Sequence, residues 1–152
     1  MEKKYPILNQ WRLPECASYA LVACLMRMKN IDHDKILAEM SPDFNKLLTH
    51  KSVGLWLKTH GYIKDLVAYR YNPILLPQIP VIARLFGVDW EKTRQAPYKL
   101  TMGGKSTFAH YVCITDKWVA VNSWGESWGD KWYFYFDEEQ KKEFGMVSRI
   151  LI

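Results

Sequence analysis

From Glu15 to about Lys29 the chain reads ECASYALVACLMRMK. This run is apolar nearly all round rather than along one stripe, which predicts a buried helix. Pro14 suits its first turn, where the missing N–H costs nothing. Residues 1–14 show no period, and with Pro6 and Pro14 as breakers they read as extended and irregular. A second helix is predicted over about Asp32 to Met40, with Ile36, Leu37 and Met40 on one face and Ser41-Pro42 closing it. A third, over about Val53 to His60, carries Leu55, Trp56 and Leu57 and stops at Gly61. The pattern then changes. After Pro73, Pro77 and Pro80 come five runs rich in β-branched and aromatic residues: IPVIARLF (79–86), FAHYVCIT (108–115), WVAVN (118–122), WYFYF (132–136) and MVSRILI (146–152). These read as strands of an antiparallel sheet. The predicted fold class is α+β in one domain spanning 1–152. A mainly helical lobe covers about 1–75, a mainly β lobe about 76–152, and a cleft lies where they meet.

Composition narrows the function classes. No apolar run approaches the ~18 residues that span a bilayer, and MEKKYPILNQW lacks the apolar core of a secretory signal. The expectation is a cytoplasmic protein without a membrane partner. The net charge is +5, but the basic residues are interspersed with acidic ones, as in DEEQKKE at 137–143. That pattern serves solubility and forms no stripe for nucleic acid. Three cysteines, Cys16, Cys24 and Cys113, are too few for a disulfide framework, and no C-x-x-C or H-x-x-x-H spacing suggests zinc. No cofactor or metal is expected.

A thiol attacks as thiolate, and its ordinary pKa of about 8.5 leaves little thiolate at neutral pH. A helix N-terminus and a nearby imidazolium both lower that value. Cys16 has the first by position. Cys24, in mid-helix, and Cys113, within a strand, read as small core hydrophobes. Among four histidines, His33, His50 and His60 stand in polar segments and read as solvated. His110 lies inside FAHYVCI, where alternation puts Phe108, His110, Val112 and Ile114 on one face. Such a histidine is more often a hydrogen-bonded core residue than a catalyst. The segment VNSWGESWGDKWYFYF at 121–136 shifts that balance. It supplies an asparagine at a strand end, whose amide oxygen can accept an imidazole N–H and hold the ring, and an indole to keep water off that bond.

Asn122-Ser123-Trp124-Gly125, followed by Ser127-Trp128-Gly129, resembles the N-S-W-G-x-x-W-G run around the catalytic Asn of the papain-like cysteine peptidases. Gln10 precedes Cys16 by six residues, the spacing of that family's oxyanion Gln and nucleophile. FAHYVCI is similar to its strand bearing the catalytic His, and IPVIARLF to the strand before it. The resemblance implies a papain-like fold and a thiol protease acting through a thioacyl-enzyme on peptide or isopeptide bonds. Cys16 would be the nucleophile and His110 the general base and acid. Asn122 would orient His110, Trp124 would shield their hydrogen bond, and Gln10 would donate to the oxyanion with the backbone N–H of Cys16. The implied partners are a polypeptide substrate and a separate protein inhibitor.

The chain also departs from the family. Leu13-Pro14-Glu15-Cys16-Ala17 lacks the glycine and cysteine of C-G-[SA]-C-[WY] and has Ala17 in place of the aromatic residue. His110 follows Cys16 much sooner than the family's roughly 130–150 residues. Gly54 is the only glycine between Asn45 and Trp56, where the family carries a substrate-binding glycine pair, so substrate-binding residues are unassigned. Glu15 places a negative charge beside the thiol, which is expected to raise its pKa. No inhibitory pro-region precedes Gln10, which fits a mature form or a compact bacterial- or virus-type enzyme. The alternatives are an acyltransferase with the same triad and a catalytically weak scaffold that binds a protein or peptide.

Overall fold

The computed structural model describes residues 5, 8–10, 15–70, 80–104, 109–116, 118–144 and 146–152. Its helices are α1 (Cys16–Met28), α2 (His33–Met40), α3 (His50–Thr59) and the one-turn α4 (Trp90–Thr93). Its strands are β1 (Asp65–Arg70), β2 (Val81–Phe86), β3 (Ala109–Asp116), β4 (Val119–Val121), β5 (Tyr133–Tyr135) and β6 (Met146–Leu151). They form one sheet in the order β1-β6-β2-β3-β4-β5, with every neighbouring pair antiparallel. Pro14, Pro73, Pro77 and Phe108 lie outside the described residues.

Every residue of α1 from Cys16 to Leu25 is buried, as its continuous apolarity predicts. The helix lies on one face of the sheet, sharing a core with Ile82, Tyr111, Cys113 and Ile150. The alternate residues, among them Val81, Ala83, Leu85, Val112, Ile114 and Val147, face a second core closed by Phe134, Phe136 and Trp128. This period of two puts both sheet faces to use. Asp32 caps α2 by accepting from the Lys35 N–H at 3.1 Å. After α2 the chain runs on as a 3-10 turn over Ser41–Lys46, because Pro42 sits in a first turn that requires no N–H from it. A capping box between Thr49 and Ser52 starts α3 three residues earlier than its apolar pattern indicates.

Two expectations need correction. The sheet takes a strand, β1, from the part of the chain read as helical. Gly54 serves that strand: a Cβ there would come within 2.7 Å of Leu66, so the glycine lets α3 pack close on β1. Cys24 and Cys113 are not separate core hydrophobes but a disulfide, with a Cα separation of 5.8 Å. Because α1 lies directly on β3, two small buried side chains from distant parts of the chain meet there. A disulfide belongs to oxidising surroundings, so cysteine usage gives no support to a reducing, cytoplasmic setting. No helix among the described residues is long and apolar enough to cross a membrane.

Candidate active site

His110 stands on β3 on the same face as Val112 and Ile114, fully buried. Its Nε2 lies 2.6 Å from Asn122 Oδ1, and that oxygen also accepts the Ser123 N–H at 2.8 Å. Two donors on one atom require the carbonyl oxygen there. The ring nitrogen facing it therefore carries the hydrogen, and Nδ1 is bare in the neutral ring. Among the described residues, His110 Nδ1 and Asn122 Nδ2 make no hydrogen bond. Asn122 follows β4 and is itself held by its N–H donating to Trp132 O at 2.9 Å. Trp124 stacks on the imidazole at 4.4 Å between centroids, and Trp90 meets it edge-on at 5.2 Å. Burial in this aromatic cage pushes His110 down to about 4, and the Asn122 hydrogen bond offsets part of that shift.

Gln10 is buried and tied twice to the residue after Asn122. Its N–H donates to Ser123 O at 2.8 Å, and its Oε1 accepts the Ser123 hydroxyl at 2.5 Å. Asn9 bridges to Trp124 alongside. Ser123 thus joins Gln10, Asn122 and His110 into one hydrogen-bonded chain.

Cys16 is the first residue of α1 and is buried. It is the one cysteine outside the disulfide. The backbone N–H groups of Tyr111, the residue after His110, and of Ala17 and Cys16 itself lie close enough to the sulfur to favour its thiolate. No hydrogen bond joins the thiol to His110 Nδ1. The thiol pKa is raised, so the lowering expected from the helix N-terminus does not prevail. Burial outweighs the helix-terminal N–H groups that lower it. The rise comes from burial and not from the Glu15 charge.

Residues 91–152, which include His110 and Asn122 but neither Gln10 nor Cys16, match the sequence model of the papain family cysteine protease. The fold matches the crystal structure of the Carica candamarcensis cysteine protease CMS1MS2 in complex with E-64. The TM-score is 0.61 at 14% identity, over 97% of this chain and 92% of that one. The fold is papain-like. Comparison with curated proteins finds no match.

Within the papain-like frame, the structure adds residues that the sequence reading passed over. Trp90, on the one-turn α4, packs against His110, Trp124, Trp128 and Phe134 at centroid distances of 5.1–5.9 Å. A four-residue helix has no readable period, so nothing marked it. Ser123 lay inside the N-S-W-G run without a role of its own. His50 is not a solvated residue: it is half-buried, with its ring edge-on to Tyr111 at 5.6 Å. Its partner comes from a strand sixty residues on, beyond the reach of local pattern.

Proposed function

We propose that this chain is a cysteine peptidase that hydrolyses peptide or isopeptide bonds through a thioacyl-enzyme. One observation carries the reading. The buried His110–Asn122 hydrogen bond under Trp124 leaves Nδ1 bare on the strand whose next residue brings its N–H to the Cys16 sulfur. Burial favours the neutral thiol and the neutral imidazole in the free protein. The proton therefore leaves Sγ for Nδ1 as sulfur bonds to the scissile carbonyl carbon, rather than resting there beforehand.

The carbonyl oxygen gains the negative charge. The Gln10 amide meets it through Nε2–H, its Oε1 being occupied by Ser123, and the Cys16 backbone N–H is the second donor. Collapse breaks the C–N bond, and His110 gives its proton to the leaving amine. Water then attacks the thioester carbonyl while His110 takes its proton. The C–S bond breaks, the acid departs, and the released sulfur regains the proton from Nδ1. An amine in place of water gives acyl transfer by the same steps.

The test is intact-mass analysis after iodoacetamide at near-neutral pH, together with turnover of a peptide substrate. A single adduct at Cys16, lost in His110→Ala, and abolished turnover in a normally folded Cys16→Ser are expected. Turnover retained by Cys16→Ser would move the nucleophile elsewhere and end this assignment.

A further inference from the structure

The pairing registers arrange the α1-facing side of the sheet in rows that run across β1, β6, β2 and β3. In one row Ala68 pairs with Ser148, Ser148 with Ile82, and Ile82 with Cys113. It is uncharged, and its last three residues are fully buried. Two residues along each strand, Arg70 pairs with Met146 and Arg84 with Tyr111. Ala83 pairs with Val147, so Arg84 comes level with Met146. Arg70, Arg84 and Tyr111 therefore share the next row. Neighbouring strands lie about 4.8 Å apart, which puts the two arginine backbones about 10 Å from each other.

This row ends at the nucleophile, because Tyr111 shares a packed core with Cys16 and brings its N–H to the sulfur. Both arginine side chains are exposed. The Arg84 guanidinium and the His50 backbone N–H both lie within interacting reach of the Tyr111 hydroxyl oxygen. That contact anchors one side of a five-donor fork and leaves its other donors outward. From α3, His50 stands edge-on to Tyr111, and the positive charges of Lys51 and Arg84 both act on it. Phe86, one row further out on the same face, is exposed as well. Neither row contains a carboxylate.

We infer that this row is the specificity floor of the cleft. Arg84, supported by Arg70 and Lys51, takes the carboxylate of a Glu or Asp side chain in a peptide whose scissile carbonyl lies at Cys16. The inference rests on reading Cys16 as the nucleophile. An arginine fork already fixed on one edge meets a carboxylate with two parallel N–H bonds at little ordering cost, and the surrounding cations repel a lysine or arginine side chain.

Binding tests this without turnover. The probes are two dye-labelled random-sequence peptide pools, one with Asp and Glu but no Lys or Arg, the other the reverse. They are titrated against Cys16→Ser protein by fluorescence anisotropy. The acidic pool is expected to bind at least tenfold tighter, and more weakly as salt rises. Arg84→Glu should abolish or reverse the preference, and Arg84→Gln should reduce it if the reversed charge disturbs folding. Lys35→Glu on α2 makes the same change in net charge elsewhere and should leave the preference in place. Equal affinity for the two pools, or a preference that Lys35→Glu removes as fully as Arg84→Glu, would overturn the inference. Arg84-dependent binding of the acidic pool with no cleavage of it by the unmodified protein would refute the peptidase reading while supporting the acidic-peptide cleft.

Discussion

The Cys24–Cys113 bond offers a stability experiment whose size follows from its place in the chain. The two residues are 89 apart. In the chain-entropy account, a cross-link over roughly 90 residues removes about 15 cal/mol/K from the unfolded ensemble, or about 4–5 kcal/mol at 25 °C. Against a total stability of about 5–15 kcal/mol, that is a large share. The clean comparison is urea unfolding of Cys16→Ser with and without reductant, since the side chains are then the same and no third thiol can reshuffle the pair. With a urea slope of about 2 kcal/mol per molar, the reduced protein should unfold about 2 M earlier. Alkylation of the unmodified chain in denaturant without reductant should give one adduct, on Cys16. Three adducts, or coincident unfolding curves, would refute both the linkage and the claim that it holds α1 to β3.

Three further outcomes follow from the site. His110→Ala should lower turnover far more than Asn122→Ala, and the double variant should be no worse than His110→Ala alone, because nothing is then left to orient. Clear additivity, measured as kcat, would separate the two residues. Gln10→Ala should reduce kcat by roughly ten- to a thousandfold with little change in KM. Ser123→Ala, which only frees the Gln10 amide, should cost less and should add nothing to Gln10→Ala. Folding should also be pH-dependent through His110. The unfolded chain takes up its proton near pH 6.5, whereas the folded chain waits until about 4. Stability should therefore fall as pH drops from about 6.5 to 4, by about 3 kcal/mol, and His110→Gln should flatten that slope in urea titrations at several pH values.

What the sequence disclosed and what it withheld divide along physical lines. The apolarity of α1, the alternation of β3 and the N-S-W-G run are local signals, and each led to an element or residue the structure has. The strand β1, DLVAYR, is an edge strand with Val67 exposed and a charge at each end, so its alternation is blurred. Its partner β6 lies far down the chain. A half-cystine and a small buried hydrophobe look alike in sequence, and only the packing of α1 on β3 separates them. The cause of the raised thiol pKa is hidden from the sequence for a related reason. The helix N-terminus is visible at Cys16, but the depth at which α1 is buried depends on the whole sheet.

The position of β6 has a consequence for the timing of biosynthesis. Strands β1 and β2 follow one another in the chain but never touch, since Met146–Leu151 lies between them. A nascent chain that has already emitted Gln10, Cys16, His110 and Asn122 still lacks the strand that joins β1 to the rest of the sheet. It exposes two unpaired edges until that strand arrives. The sheet that supports the proposed machinery is completed only then. Its assembly waits on one late, long-range insertion, so a ribosome stalled before Met146 carries the reactive residues without the completed sheet that supports them.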